Sequence, residues 1–186
     1  MRKIVALTGH KGSGKDTAAL YFMSRGFTNE KFAGALKDMI ATLIKYQGGS
    51  TRLIADMIEG HLKEVPSNLY LGGKSPREAM ILLGTEWARD LINEELWVNT
   101  LVNRVQATSD YVVITDCRFD NEEKAIRDLG GKIIRIVRPD NASNVFQDHP
   151  SEAYIPKMNV DLEIVNDGTI EALHEAVGNA MVELYK

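Results

Sequence analysis

Nine consecutive residues near the start of the chain, GHKGSGKDT from Gly9 to Thr17, combine three glycines with two lysines. Glycine tolerates positive φ angles, so the backbone N–H groups of such a loop can converge on a phosphate. Lys15 follows the last glycine and can reach the β- and γ-phosphates of a nucleoside triphosphate. The common form of this loop has Ser or Thr next to bind Mg²⁺, whereas here Asp16 stands there, before Thr17, and either could be the ligand. The alternative is an ordinary strand-to-helix turn with a surface lysine.

Two further places in the chain carry residues suited to phosphate chemistry. Asp116 follows the apolar run YVVI and Thr115, as a metal-binding carboxylate would, and Arg118 comes two residues later. Arg77 follows Ser75 and Pro76, which are typical of a helix start. A guanidinium group binds phosphate oxygens in pairs, and phosphoryl transfer needs positive charge around the moving group. The alternatives are that Asp116 caps the next helix and that Arg77 lies solvated on a helix surface.

The elements that must position these residues alternate between strand and helix. Short apolar and β-branched runs predict strands over 3–8, 27–32, 111–115, 132–137 and 162–165. Helical spacing predicts helices over 15–24, 35–46, 53–58, 77–83, 87–105, 121–129 and 170–185, with Gly84 ending one of them. Such alternation indicates an α/β fold whose parallel sheet is covered on both faces. Ligands of these sheets bind beyond the carboxyl ends of the strands, where the residues above lie.

Composition excludes several classes of protein. The 186 residues carry 22 Lys and Arg against 26 Asp and Glu, a net charge of −4, which argues against a nucleic acid as partner. A single cysteine, Cys117, rules out an internal disulfide and suits a reducing compartment. No apolar run approaches the length of a membrane span, so we expect no membrane partner and a cytoplasmic location. The length predicts one domain.

Further blocks of sequence join the glycine-rich loop in one pattern. They are LGTEW at 83–87, LWV at 96–98, TDCRF at 115–119, VRP at 137–139 and VNDGT at 165–169. With these blocks the chain resembles, along nearly its whole length, the deoxynucleoside monophosphate kinases of bacteriophages, which belong to the P-loop nucleoside monophosphate kinase group. The Lys-Asp-Thr form of the loop is typical of that family. The expected location then becomes the host cytoplasm if the chain is encoded by a phage.

The resemblance implies a fold and an activity. The fold is a three-layer P-loop NTPase fold with a parallel sheet of about five strands, a helical insert and a lid loop. The implied division is a core of about 1–34 and 108–186, a helical nucleotide-binding insert of about 35–107 and a lid of about 139–158. The implied activity is transfer of a phosphoryl group from ATP, with Mg²⁺, to the 5′-phosphate of a deoxynucleoside monophosphate. A homodimer and the base preference are left open.

The resemblance also implies roles for particular residues. It assigns ATP binding to Gly12, Ser13, Gly14, Lys15, Asp16, Thr17, Asn166, Asp167 and Gly168, with Asp16 and Thr17 as metal ligands. It assigns binding of the acceptor nucleotide to Leu36, Lys37, Arg77, Trp97, Asp116, Arg118 and Glu122. The implied catalytic residues are Lys15, Arg77, Asp116 and Arg118. Arg138 stands at the root of the lid, and Arg127 is the other candidate for a lid arginine.

Several of these residues have plainer alternatives. Trp97 at helical spacing is typical of a core residue, and Glu122 near a helix start favours the helix dipole. Lys37 by itself is an exposed helix lysine. The Asn-Asp-Gly turn at 166–168 is also typical of a strand-to-helix connection, with Asp167 or Thr169 capping the last helix. Cys117 lies beside two candidate site residues, so a thiol reagent is expected to inhibit.

Two other functions compete with the implied one. A P-loop kinase of the same fold could act on another acceptor, either a hydroxyl of a modified base in DNA or another small phosphorylated metabolite. A nucleotide-binding regulator without transfer chemistry is the second competitor, although the chain has no guanine-reading Asn-Lys-x-Asp sequence.

Overall fold

Five parallel strands form one sheet in the computed structural model of the chain, which describes residues 2–139 and 153–186. The strands are β1 (Ile4–Thr8), β2 (Phe27–Glu30), β3 (Tyr111–Ile114), β4 (Lys132–Val137) and β5 (Leu162–Val165). Their order across the sheet is β2-β3-β1-β4-β5, and every neighbouring pair is parallel. The predicted parallel α/β sheet is therefore confirmed, and the carboxyl ends of all five strands meet at one edge.

Helices lie between the strands as predicted, with two differences: the predicted helix over 87–105 is interrupted at 93–95, and a short helix at 68–71 was not predicted. In chain order they are α1 (Lys15–Ser24), α2 (Gly34–Tyr46), α3 (Thr51–Ile58), α4 (Asn68–Leu71), α5 (Pro76–Leu82), α6 (Leu96–Ala107), α7 (Asp120–Asp128) and α8 (Ile170–Leu184). A π-helical segment, Leu83–Ile92, follows α5 directly, and a 3₁₀ turn spans Ile155–Lys157. Ser75 accepts from Glu78 N and the Glu78 carboxylate accepts from Ser75 N, so the predicted start of α5 is a complete capping box.

Both faces of the sheet are covered by apolar side chains. Successive residues of a strand point to opposite faces, and Ile4, Val5, Ala6 and Leu7 of β1 are all buried. One face packs against α1 and α8 in a cluster that contains Leu7, Ala18, Phe22, Ile134, Leu173 and Val177. On the other face, a side chain at Gly131 would touch both Ile126 of α7 and Ile4. The continuous burial of the strands explains why their sequences are apolar without alternation.

Contacts divide the chain into two compact units. One comprises Met1–Phe32 and Leu101–Lys186 and contains the sheet; the other is Ala33–Thr100. The second unit has its own core, which includes Leu36, Ile40, Ile44, Met57, Met80 and Trp97. The family-based division into a core, a nucleotide-binding insert and a lid stays a prediction.

The prediction that a helix ends at Gly84 is wrong. The chain stays helical through this residue and changes from α to π geometry at Leu83. A Cβ atom at Gly84 would lie 3.3 Å from a methyl group of Leu36. The glycine therefore serves close packing against α2, which a pattern based on helix breakers does not reveal.

Within the described residues, no helix combines the length and the hydrophobicity needed to cross a bilayer.

Candidate active site

The loop between β1 and α1 has a conformation that only glycines permit. Gly9, Gly12 and Gly14 have φ angles of 142°, 79° and 104°. A Cβ atom at Gly9 would lie 2.3 Å from the carbonyl oxygen of Ile136 in β4, so the loop passes too close to the sheet for any side chain there. The Ser13 N–H donates to the His10 carbonyl over 3.1 Å. The loop thus has the turns and the close backbone approach of a phosphate-binding loop.

Lys15 lies folded back over this loop. Its Nζ donates to the Gly9 carbonyl over 2.6 Å and to the His10 carbonyl over 2.8 Å, and the residue is only 8% exposed. A buried ammonium group surrounded by carbonyl oxygens is already partly stripped of water, which strengthens its attraction to an anion. The loop therefore holds Lys15 in place through these two hydrogen bonds, and a phosphate bound to the loop would contact the same lysine.

Asn166, directly after β5, is hydrogen-bonded to the backbone of the loop. Its Nδ2 donates to the Ser13 carbonyl over 2.9 Å, and the residue is buried. The same amide nitrogen would lie 2.4 Å from a Cβ at Gly14, so the close contact requires the glycine. The predicted role of Asn166 was ATP binding, and the structure adds a positioning contact that joins two strand ends.

We expect Asn166→Asp to raise the KM for ATP about 30-fold, equivalent to about 2 kcal/mol, because a carboxylate cannot donate to the Ser13 carbonyl and repels it. The KM for the acceptor nucleotide should change less than about twofold. Steady-state kinetics with each substrate varied in turn measures both constants. Asn179→Asp, the same change at an exposed position of α8, is the matched control. Equal effects of the two variants on ATP would contradict the positioning role.

Oxygen donors suited to Mg²⁺ occur in the loop, in the first turn of α1 and at the carboxyl ends of β1 and β3. Asp16, in the first turn of α1, has a side chain that is 86% exposed and 3.9 Å from Lys31 Nζ. The buried hydroxyl groups of Thr8, Ser13 and Thr115 have no hydrogen-bond partner among the described residues. Mg²⁺ takes oxygen ligands and usually keeps several waters, so this donor set fits the ion. The described residues contain no group of three or more His, Cys, Asp or Glu side chains placed to hold a metal.

Asp116 lies just beyond β3, at the carboxyl edge of the sheet. Its Oδ1 accepts a hydrogen bond of 2.9 Å from the backbone N–H of Phe32. The alternative that Asp116 caps the next helix is wrong, because α7 begins at Asp120 with Phe119 as the N-cap residue. The carboxylate of Asp116 therefore lies at the end of a strand and does not cap a helix, which agrees with the position predicted for it.

Glu122 has a structural task at the start of α7. Its Oε2 accepts from the backbone N–H groups of Arg118 over 2.7 Å and Phe119 over 3.2 Å, and the residue is 3% exposed. The structure thus favours the alternative in which this carboxylate stabilises the helix start. Its burial argues against the predicted contact with the acceptor, whereas Arg118 remains partly exposed.

Cys117 is buried between its two site neighbours. The residue is 1% exposed, and its Sγ lies 4.0 Å from the sulfur of Met158. Burial raises the pKa of the thiol well above its usual value, and the charges of Glu122 and Asp116 raise it further. The structure therefore contradicts the expectation of ready inhibition by a thiol reagent, because reaction needs an accessible thiolate.

We expect the folded protein to react with Ellman's reagent at neutral pH about 100-fold more slowly than the chain unfolded in guanidinium chloride. Absorbance of the released thiolate measures both rates on the same sample. Rapid reaction of the folded protein, at a rate close to that of the unfolded chain, would show that the thiol is accessible after all.

Two predicted substrate contacts in the unit Ala33–Thr100 are core residues. Leu36 is 7% exposed and Trp97 is 4% exposed, and both belong to the apolar cluster of that unit. The indole Nε1 of Trp97 donates to the Gly84 carbonyl over 2.9 Å. Its one polar group is therefore satisfied internally, and the structure favours the core alternative over stacking on a base.

Lys37 and Arg77, in the same unit, are both paired with carboxylates. Lys37 Nζ lies 2.6 Å from Glu59 Oε1, and Arg77 Nε donates to Glu64. Lys37 is not the exposed helix lysine of the alternative, since its side chain is only 15% exposed. Lys63, which we did not predict, lies 3.6 Å from Glu59 Oε2. Its only sequence signal is the spacing of four residues from Glu59.

Arg138 is exposed where the chain leaves β4. The other candidate for a lid arginine, Arg127, pairs with Asp161 and donates to the Asn159 carbonyl over 2.7 Å, so it is engaged in the fold. The predicted lid of 139–158 falls largely outside the described residues. The role of Arg138 stays a prediction.

Two features were expected of the turn after β5: contact with the nucleotide, which stays a prediction, and a cap for the last helix. Asp167 and Gly168 are exposed, as nucleotide contacts would be. The Thr169 hydroxyl accepts from Ala172 N over 3.2 Å and caps α8. The capping role predicted for Thr169 is confirmed.

The chain has the P-loop kinase fold. Its parallel sheet has the strand order 2-3-1-4-5, and a glycine-rich loop connects the first strand to the first helix. The dephospho-CoA kinase from Campylobacter jejuni is similar, with a TM-score of 0.53 and 14% identity over 99% of this chain and 98% of that chain.

Sequence comparison narrows this class to one family. The model of the deoxynucleotide monophosphate kinase family matches residues 72–177. A putative deoxynucleotide monophosphate kinase of Acanthamoeba polyphaga mimivirus is 33% identical, covering 94% of this chain and 93% of that protein. The deoxynucleotide monophosphate kinase of Enterobacteria phage T4 is 27% identical, covering 96% and 98%. The chain belongs to the deoxynucleotide monophosphate kinase family.

Proposed function

We propose that this protein phosphorylates a deoxynucleoside 5′-monophosphate to the diphosphate, with ATP as the donor and Mg²⁺ as the metal. The observation that carries the proposal is the buried ammonium group of Lys15 over a glycine loop, in a chain that belongs to this family. The lysine and the loop support binding of a triphosphate. Membership of the family supports a deoxynucleoside monophosphate as the acceptor.

ATP binds to the loop in this proposal. The backbone of Gly12, Ser13 and Gly14 surrounds the phosphates, and Lys15 exchanges its two carbonyl partners for phosphate oxygens. Asp16 and Thr17 would hold the metal, directly or through water, where it would neutralise negative charge on the phosphates during transfer. The exposed pair of Asp167 and Gly168 contacts the nucleotide beyond β5.

The acceptor supplies its own nucleophile. An anionic oxygen of its 5′-phosphate forms a bond to the γ-phosphorus of ATP while the bond to the β–γ bridging oxygen breaks, and ADP leaves. No general base is needed, because the attacking oxygen already carries negative charge. Lys37 and Arg77 bind the acceptor phosphate, and Arg118 and Arg138 add positive charge for the transferred group. Asp116, at the end of β3, lies where a metal-binding carboxylate is expected.

A coupled assay of ADP formation tests the proposal. We expect ADP formation to depend on both ATP and one or more of dTMP, dGMP, dCMP, dAMP and modified pyrimidine monophosphates. Reactions without acceptor measure the background hydrolysis of ATP, and reactions with DNA as acceptor test the first competitor. Phosphorylation of DNA with no turnover of any free deoxynucleotide would refute the proposal, as would a wild-type protein inert on every acceptor.

The charges of the second unit disfavour the DNA-directed alternative. A DNA kinase needs an accessible basic groove. In the stretch 51–83, however, the basic side chains are few and scattered. They are Arg52, Lys63, Lys74 and Arg77, and the last three each have a carboxylate of the same unit within 4 Å. A homodimer stays a prediction.

A further inference from the structure

Three cations and two carboxylates lie together in the unit Ala33–Thr100. Glu59 bridges two lysines: its Oε1 is 2.6 Å from Lys37 Nζ and its Oε2 is 3.6 Å from Lys63 Nζ. Arg77 pairs with Glu64, and its backbone N–H donates to the Lys63 carbonyl over 2.9 Å. We call these five residues the cationic cluster. Its formal charge is +1.

The two lysines of the cluster are more buried than the carboxylate between them. The side chains of Lys37 and Lys63 are 15% and 21% exposed, whereas that of Glu59 is 52% exposed. Lysine ammonium groups are rarely buried unless they are paired, because they lose their hydration. Here one carboxylate serves two ammonium groups, so the pairing is incomplete. The arrangement leaves positive charge for a second anion.

Lys63 shows this excess of positive charge most clearly. Burial lowers the pKa of its ammonium group, and the charges of Lys37 and Arg77 lower it further, although Glu59 acts in the opposite direction. A dianion bound at the cluster would stabilise the charged form of Lys63, since it can accept hydrogen bonds from several donors at once.

We propose that Lys63 is a third cation, beside Lys37 and Arg77, that binds the 5′-phosphate of the acceptor nucleotide. The assignment rests on the proposed function. Its geometric basis is the shared carboxylate with Lys37 and the backbone hydrogen bond from Arg77, which tie all three cations to one place. Neither Lys63 nor Glu59 lies within the residues 72–177 matched by the family model.

A second ion pair in the same unit serves as a control. Lys74 and Glu78 also lie four residues apart, and their charged atoms are also 3.6 Å apart. Lys74, however, is 57% exposed and has a carboxylate that no second lysine of the described contacts shares. An exposed ion pair of this kind contributes little to the stability of the fold. Lys74→Met therefore removes the same charge without touching the cationic cluster.

The test compares Lys63→Met and Lys63→Arg with Lys74→Met. We expect Lys63→Met to raise the KM for the deoxynucleoside monophosphate about 30-fold and to leave the KM for ATP within about twofold. Titration calorimetry without ATP should show the same loss of affinity for the monophosphate, but no loss for the matching deoxynucleoside, which lacks the phosphate. Lys63→Arg should recover most of the affinity, and Lys74→Met should resemble the wild type.

Each other outcome has a defined meaning. If Lys63→Met behaves like Lys74→Met, or changes the two KM values equally, or weakens the deoxynucleoside as much as the monophosphate, the inference is overturned. Thermal unfolding monitors folding, and Lys63→Gln replaces Lys63→Met if that variant unfolds. A wild-type protein inert on every deoxynucleotide would refute the proposed function instead, so the two failures are distinguishable.

Discussion

Replacing Lys15 by Met is expected to lower kcat for phosphoryl transfer about 1,000-fold, which corresponds to about 4 kcal/mol of transition-state stabilisation. The lysine is 8% exposed, and its Nζ lies against the loop carbonyls of Gly9 and His10. Burial limits screening of this charge by water, and phosphoryl transfer depends mainly on electrostatic stabilisation. Methionine has a similar length and no charge, so the variant tests the charge itself.

Single-turnover kinetics with saturating ATP and acceptor measures this effect. Lys124→Met is the matched control, because Lys124 is a lysine of the same unit whose side chain is 81% exposed on α7. The control should retain wild-type kcat. A Lys15→Met protein that remains folded and loses less than about tenfold in kcat would contradict the assignment of Lys15 to the phosphates.

Gly9→Ala is expected to lower the free energy of unfolding by about 3 kcal/mol and to abolish measurable activity. The added Cβ would lie 2.3 Å from the Ile136 carbonyl oxygen and 2.8 Å from Ser13 Oγ. The backbone of Ile136 belongs to β4, which is hydrogen-bonded on both sides in the sheet and cannot move away cheaply. The loop must therefore leave the sheet, and with it the position of Lys15 is lost.

Gly26→Ala separates the steric clash from the cost of a positive φ angle. Gly26 has a φ of 83° and open space around its Cα, so this control bears only the conformational cost, about 1 kcal/mol. Unfolding in denaturant, monitored by circular dichroism, measures both variants. Equal losses of stability would mean that the contact with β4 is not what demands glycine at position 9.

Much of the fold could be predicted from the sequence, because its signals are local. The helix at 15–24, the strand at 132–137 and the capping by Ser75 are all at or within one residue of their predicted bounds. Each depends on short-range spacing, on a side-chain cap or on turn chemistry. The glycine-rich loop could also be predicted, since three glycines before Lys15, between a strand and a helix, form a local sequence pattern.

For three side chains predicted to bind the acceptor, the structure favours the plainer alternative. Leu36 and Trp97 were predicted to contact the acceptor and are core residues, and Glu122 stabilises the start of α7. Each lies in a stretch whose periodicity defines an apolar or polar face. Periodicity does not tell which element covers that face.

The sequence by itself determined the α/β class, the five strands and the helices of the sheet-bearing unit that lie between them, the family and the loop that carries Lys15. Only the tertiary structure decided that Asn166 holds that loop, that Cys117 is inaccessible and that Lys63 shares a carboxylate with Lys37. The reason is the range of the interactions. Backbone conformation responds to neighbours a few residues away, whereas burial and charge pairing depend on residues that meet only when the chain has folded.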